Sequence, residues 1–205
     1  MTMHRDAVRR AWDAVADDYA AKRRADGEDA ALIEDLLADL PADARVLDVG
    51  CGDGQRTLTN LVGAADALGL DFSRRQLELA RGAAPDARLV QADMTALPVA
   101  DGAVDAITAY HAVFHVSRSQ HPAVYEEFAR VLAPGGRLLM TVGAGRSDAT
   151  RRNWLDSGHA MYWSTPGRRA TVSQLDEAGF DVVWERFVDD PLGSQALFVL
   201  AERRP

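Results

Sequence analysis

The order of apolar and polar positions divides the chain into an N-terminal helical part and a longer part in which strands and helices alternate. Apolar residues recur every three or four positions over residues 8–19 and again over residues 32–40, which predicts two amphipathic helices. Pro41 ends the second helix, since a residue before proline rarely stays helical. We assign residues 1–40 to an N-terminal helical cap.

From residue 45 onward, short apolar runs alternate with segments of helical periodicity. The strand-like runs are at about 45–49, 66–71, 87–91, 104–109 and 136–142, and the helical segments are at about 54–62, 74–82 and 121–132. This alternation predicts a mainly parallel sheet with helices on both faces. Two last runs, at 180–188 and 195–201, are separated by six residues. That is too short for a parallel crossover, so we predict an antiparallel hairpin.

The stretch 145–172 does not follow the alternation. Its distinctive side chains are Trp154, Tyr162, Trp163, Arg146, Arg151, Arg152, Arg168 and Arg169. Two hypotheses stay open for them. The aromatic residues form a substrate wall and the arginines attract a carboxylate or phosphate, or the aromatic residues are core and the arginines pair with surface acids.

A glycine-rich loop follows the first strand-like run, at Gly50, Gly52 and Gly54. Glycine tolerates positive φ and lets the backbone pass close to a ligand, and ligands of parallel sheets bind outside the carboxyl ends of the strands. The dinucleotide fingerprint requires a small residue at position 55, where this chain has Gln55. The spacing therefore favours an adenosyl ligand other than a dinucleotide.

Two acidic residues follow the next two strand-like runs. Asp71 comes 19 residues after Gly52, where a carboxylate can accept hydrogen bonds from ribose hydroxyls. The alternative role is a helix N-cap, for which Ser73 is an equally good candidate. Asp93 can accept from the exocyclic amine of an adenine, and the neighbouring Met94 can pack on the ring.

These sequences together resemble the class I S-adenosylmethionine-dependent methyltransferases, in particular the small-molecule branch of the ubiquinone/menaquinone-biosynthesis type. The resemblance covers about residues 40–142. The stretches that carry it are VLDVGCGDG (46–54), LGLDFS (68–73), QADMTALPVADGAVDAI (91–107) and EEFARVLAPGGRLLMTV (126–142). The resemblance implies a Rossmann-like α/β fold with a seven-stranded, mainly parallel sheet whose last strand is antiparallel.

The resemblance also implies that residues 1–205 form one domain whose segments have different roles. The core at 45–142 would bind the cofactor, the segment 145–172 would contact substrate, and 173–205 would form a C-terminal helix and the hairpin. The residues expected at the cofactor are Asp48, Gly50, Gly52, Gly54, Asp71, Phe72, Asp93, Met94, Ala109 and, from the N-terminal helices, Tyr19 and Arg23.

Methyl transfer from a sulfonium needs few side chains beyond those that position the acceptor. If the acceptor must lose a proton, a base helps, and we predict His111 as that catalytic residue because it follows the fourth strand directly. His115, His121 and Tyr110 are nearby alternatives, and a structural role is open for each histidine. Two rival hypotheses are a nicotinamide-dependent oxidoreductase and a cofactor-binding protein that no longer methylates.

The amino-acid composition limits the kinds of partner and the cellular compartment that we expect. The chain has 31 acidic and 23 basic residues, a net charge of −8, which argues against broad nucleic-acid contact. The charged N-terminus and the lack of a long apolar run predict no signal peptide, no membrane span and a cytoplasmic protein. A single cysteine, Cys51, excludes an internal disulfide. We expect a small-molecule acceptor, no metal, and a monomer or homodimer. Genome bias and salt adaptation both fit the acidic, arginine-rich composition.

Overall fold

The computed structural model describes residues 5–22, 27–189 and 195–205. Its helices are α1 (Arg5–Ala20), α2 (Glu28–Ala38), α3 (Leu58–Leu61), α4 (Arg74–Ala83), α5 (His121–Val131) and α6 (Arg168–Glu177). Its strands are β1 (Arg45–Val49), β2 (Asp66–Asp71), β3 (Arg88–Gln91), β4 (Val104–Ala109), β5 (Leu132–Val142), β6 (Ser147–Arg151), β7 (Met161–Thr165), β8 (Phe180–Asp189) and β9 (Gln195–Arg203). The predicted site residue Arg23 lies outside the described residues.

Seven strands form one sheet in the order β3-β2-β1-β4-β5-β9-β8. Strands β1 to β5 are parallel, and β9 runs antiparallel between β5 and β8. The predicted fold and the C-terminal hairpin are confirmed. Strand β1 is an interior strand with apolar clusters on both faces, which explains why its residues after Arg45 are buried on both sides. The strand order reverses beside β1, so the carboxyl ends of β1 and β4 border the crevice where such sheets bind ligands.

The helix predicted at 54–62 is wrong in its extent. Helix α3 covers only Leu58–Leu61, and the segment between β1 and α3 is a loop. Its three glycines, Gly50, Gly52 and Gly54, have φ between 56° and 76°, and Gly54, the one inside the predicted helix, cannot be part of a regular right-handed helix. The loop therefore presents its own backbone to the crevice, and no long helix begins there.

The predicted cap at 1–40 divides into two helices with different roles. Helix α2 packs on the sheet, with Leu32, Ile33 and Leu36 in the core. Helix α1 lies instead against α4 and the β6–β7 hairpin, and it buries Val8 and Trp12 with β7. Only α1 contributes residues to the crevice described below.

The stretch that did not follow the alternation forms its own two-stranded antiparallel sheet, β6 with β7. An aromatic cluster joins it to α1, with ring centroids 5.2 Å apart between Trp12 and Trp154 and 5.4 Å apart between Trp154 and Trp163. Tyr162 is buried in the same cluster. The hairpin is thus a separate layer over the sheet end. Among the described residues, no helix is both long and apolar enough to span a membrane.

Candidate active site

A cavity lies at the carboxyl ends of the central strands, under α1. Seven of the residues predicted for the site line it: Gly50, Gly52, Asp71, Phe72, Met94, Tyr19 and His111. They come from α1 and from the loops after β1, β2, β3 and β4. The parallel topology brings them together because all these strands end at the same edge of the sheet.

Asp71 is anchored at the base of this cavity. The backbone N–H of Gly52 donates to its Oδ2 at 3.0 Å, and that of Ser73 donates to its Oδ1 at 2.8 Å. Burial raises the pKa of Asp71 to about 6, against the effect of these hydrogen bonds. The N-cap of α4 is Ser73, whose hydroxyl accepts from the N–H of Gln76, so Asp71 is not the cap. Each oxygen of Asp71 accepts one backbone N–H and can accept a further hydrogen bond.

Gln76 provides a direct sign that the cavity takes a polar ligand. Its side chain is 1% exposed and lines the cavity. Neither its Oε1 nor its Nε2 has a hydrogen-bond partner among the described residues. A buried amide without partners costs about 1–3 kcal/mol, so such groups are normally hydrogen-bonded by ordered water or by a ligand. The donors and acceptors of a ribose or an amino-acid group fit this demand.

Residues 46–136 match the family model described as a methyltransferase domain. Residues 46–136 therefore form a methyltransferase domain, and the fold is that of class I methyltransferases. Proteins of this family use S-adenosylmethionine, and the residues of the cavity fit it. The match favours the methyltransferase hypothesis over the nicotinamide-dependent oxidoreductase.

Two curated relatives are 33% identical to the chain. The demethylmenaquinone methyltransferase of Renibacterium salmoninarum aligns over 109 residues, 53% of this chain and 45% of the relative. The trans-aconitate 2-methyltransferase of Variovorax paradoxus aligns over 151 residues, 72% and 58%. The chain thus spans about half the length of these relatives. Among solved structures, DhpI in complex with S-adenosylhomocysteine superimposes with a TM-score of 0.76 at 22% identity, covering 98% of this chain and 97% of that one.

Four predicted residues of the methyltransferase domain, Asp48, Gly54, Asp93 and Ala109, do not line the cavity. Asp48 lies behind the glycine loop, where Thr108 Oγ1 donates to its Oδ1 at 2.8 Å and Thr57 donates to its Oδ2. Both of its oxygens are thus used to hold the loop against β4. Thr57 itself lines the cavity, so Asp48 acts on the site through that side chain.

Asp93 is bound by α1. The Nε and Nη2 of Arg5 donate to its two oxygens at 2.9 and 2.7 Å, and Thr95 donates as well. Burial raises the pKa of Asp93, but these hydrogen bonds outweigh burial and hold that pKa below its ordinary value. The Arg5 guanidinium also lies 4.8 Å from the ring centre of Phe72 and lines the cavity. Arg5 thus joins Asp93 to Phe72 at the cavity, a contact that the sequence did not predict.

Asp48 makes the stability of the domain depend on pH. Burial raises its pKa to about 7, against an ordinary value of about 4. The folded protein therefore keeps a proton that the unfolded chain releases, and the stability that this group contributes is complete below pH 4 and is lost as pH rises through 7. The difference corresponds to about 4 kcal/mol. We expect Asp48→Asn to flatten the fall in stability between pH 4 and 7.

Urea unfolding at several pH values between 4 and 8 measures this effect. Asp43→Asn is the matched control, since Asp43 is an exposed acid two residues before β1. It should keep the slope of the unmodified protein. Parallel curves for Asp48→Asn and the unmodified protein would contradict the assignment.

The three histidines after β4 have different environments. His111 has a positive φ of 52°, and its N–H donates to Thr141 Oγ1 at 2.6 Å. His115 lines the cavity, and its Nδ1 donates to the carbonyl of Tyr162 at 2.8 Å, which leaves Nε2 as an acceptor. Burial lowers the pKa of both His115 and His121 to about 4, so each is neutral at pH 7. His121 lies outside the cavity.

A buried ion pair in the wall of the cavity was not predicted. Arg56, in the glycine loop, donates to Asp29 of α2, and both side chains are less than 5% exposed. The hydroxyl of Tyr110 donates to the backbone carbonyl of Asp29 at 3.0 Å. Arg56 lines the cavity. The pair joins residues 27 positions apart, and a charged residue among glycines gave no signal of burial.

Proposed function

We propose that the protein transfers a methyl group from S-adenosylmethionine to a small-molecule acceptor. The observation that carries the proposal is the meeting of three features in one cavity. The glycine loop, the carboxylate of Asp71 and the unpartnered amide of Gln76 all lie at the reversal of the strand order. The family match at 46–136 supports the same activity. We propose that the whole chain, 1–205, works as one such domain.

The side chains that line the cavity suit different parts of the cofactor. Asp71 accepts hydrogen bonds from the ribose hydroxyls, and Gln76 hydrogen-bonds the ribose or the amino-acid group. Phe72 and Met94 pack on the adenine. The guanidinium of Arg56 pairs with the amino-acid carboxylate.

The remaining predicted residues keep supporting roles in this proposal. Asp48 and Gly54 shape the loop, Ala109 ends the strand beneath it, Asp93 orients Arg5 near the adenine, and Tyr19 covers the cavity from α1. The cofactor, when bound, supplies a methyl group activated by a sulfonium. His111 is assigned to the acceptor side, where it positions the attacking group and takes its proton if one must leave.

Titration calorimetry with S-adenosylhomocysteine and transfer of labelled methyl groups to a panel of phenols, quinones, amines and carboxylic acids test the proposal. We expect S-adenosylhomocysteine to bind and NAD(P) not to bind. Binding without methylation of any acceptor would favour the alternative of a protein that keeps the cofactor but has lost transfer. Absence of binding would contradict the proposal.

Asp71→Ala should weaken binding of S-adenosylhomocysteine by about 1–3 kcal/mol, because hydrogen bonds to a charged group are lost. The matched control is Asp66→Ala, at the opposite end of the same strand, where the carboxylate pairs with Arg88 on the surface. Calorimetry of both variants should show weaker binding for the first only. Equal affinities would place the ribose elsewhere.

The cellular compartment and the oligomeric state are part of the same proposal. Cys51 is free and buried, and burial raises the pKa of its thiol, so the sulfur is held as an unreactive thiol. A chain with one such cysteine suits a reducing compartment, which supports the cytoplasmic location. We propose a monomer or homodimer, which light scattering after gel filtration would distinguish.

A further inference from the structure

A second cavity, of about 440 Å³, opens beside the proposed cofactor cavity. His111 lines both cavities. The second one is bounded by the residues after β5, by the start of β9 and by the β6–β7 hairpin. The two cavities therefore adjoin at the His111 side chain. The position is the one that a methyl acceptor requires, because the donor and acceptor atoms must meet without intervening water.

One face of the hairpin forms the outer wall of this cavity. Successive side chains of a strand point to opposite faces, and Ser147, Ala149 and Arg151 of β6 all line the cavity. Their neighbours on β7 include Trp163, which pairs with Ala149, and Thr165, which pairs with Ser147. The cavity therefore depends on a regular hairpin with one face turned inward.

The hairpin approaches the main sheet closely at Gly143. A Cβ at this position would lie 2.3 Å from Thr165 Oγ1, so only glycine permits the contact. Thr165 also accepts from the N–H of Gly167 at 3.2 Å, which holds the end of β7 in place. The outer wall is thus fixed to the end of β5.

The charge on the described lining of this cavity is positive. Arg151 lines the cavity, and no carboxylate among residues 5–22, 27–189 and 195–205 does so. Its guanidinium lies 5.2 Å from the ring centre of Trp163, a cation–π contact that leaves the N–H groups at its edge for an anion. Asp148 is on the opposite face of β6 and is bound by Arg118 at 2.5 Å. Asp189, outside the lining, accepts from Gln195 at 3.0 Å.

We propose that this cavity binds the methyl acceptor and that the acceptor is a carboxylate with a flat apolar body. Arg151 binds the carboxylate, while Trp163 and Phe114 pack against the body. The inference rests on the proposed methyl transfer and deepens it. In that transfer the acceptor's lone pair forms the bond to the methyl carbon, the methyl–sulfur bond breaks with its electron pair going to sulfur, and any proton on the acceptor passes to His111 or to water.

Matched probe pairs test the charge preference on the protein loaded with S-adenosylhomocysteine. The probes are hydroxybenzoates and hydroxycinnamates, each with its uncharged primary amide. Calorimetry should show carboxylates binding about 10- to 100-fold more tightly than their amides, the range expected for charged hydrogen bonds. Arg151→Gln should abolish this preference and Arg151→Lys should retain part of it, since lysine keeps the charge but not the planar fork.

The matched control is Arg152→Gln, next in sequence and outside the cavity lining. It should leave the preference unchanged, and thermal unfolding should show that all three variants fold. Equal binding of acids and amides, a preference that survives Arg151→Gln, or no binding of any carboxylate would each overturn the inference. Methylation of a neutral acceptor by the same protein would leave the proposed function standing, whereas loss of S-adenosylhomocysteine binding would refute that function itself.

Discussion

Asp29→Ala is expected to lower the free energy of unfolding by about 3–5 kcal/mol, because it removes the carboxylate that binds the buried guanidinium of Arg56. A buried arginine that loses its carboxylate retains the cost of leaving water but not the attraction that offset it. Since Arg56 stands in the cavity wall, S-adenosylhomocysteine binding should weaken in the same variant. Urea unfolding and calorimetry measure the two effects.

Two further variants distinguish loss of the ion pair from a general effect of substitutions in α2. Glu34→Ala removes an exposed acid of α2 and should change stability by less than about 0.5 kcal/mol. The double variant Asp29→Leu with Arg56→Leu should recover most of the lost stability, because apolar residues can replace a buried pair at little cost. It should not recover cofactor affinity if Arg56 binds the cofactor. A stable Asp29→Ala protein would show that the pair does not hold α2 to the loop.

Gly50→Ala is the second large effect that we expect. Gly50 has a φ of +74°, and a Cβ on it would lie 2.5 Å from the Cβ of Ala112. A left-handed backbone costs an alanine about 1–2 kcal/mol, and a clash in a packed region adds about 1–3 kcal/mol. The loop must move to relieve both, so S-adenosylhomocysteine binding should fall more than about tenfold. Calorimetry and thermal unfolding measure these changes.

Two controls separate the clash from the backbone strain. Gly63 also has a positive φ, of +85°, but a Cβ there meets nothing within 4 Å. Gly63→Ala should therefore cost only the backbone strain. Ala112→Gly added to Gly50→Ala should restore part of the binding, because the contacted methyl is gone. Equal losses in Gly50→Ala with and without Ala112→Gly would mean that the clash is not the cause.

The strands were predictable because the buried strands of a parallel sheet are short apolar runs that can be recognised locally in the sequence. Strand β1 was predicted at its observed bounds, 45–49, and the C-terminal hairpin followed from six residues between two apolar runs. The helix expected at 54–62 is shortened to α3 (Leu58–Leu61), because periodicity does not report backbone angles. Gly54 has a left-handed backbone, and the regular helix begins only after it.

The residues of the site also fall into those that the sequence could predict and those that it could not. Asp71 and the glycine loop are close in sequence to strand ends, so their meeting follows from strand order. Arg5 reaches Asp93 across 88 positions, and Arg56 reaches Asp29 across 27. No spacing rule connects such pairs, since each depends on how a helix packs over the sheet. Gln76 gave no signal either, because glutamine in the first turn of a helix is ordinarily solvated.

The sequence by itself determined the order of strands and helices, the ligand edge of the sheet and the resemblance to a methyltransferase, since these depend on local periodicity and short motifs. Tertiary structure alone decided which polar groups line the cavity, that Asp48 supports the loop from behind, and that the hairpin encloses a second cavity with Arg151 on its wall. The physical reason is burial. Whether a charge is solvated, paired or left for a ligand depends on neighbours that are distant along the chain.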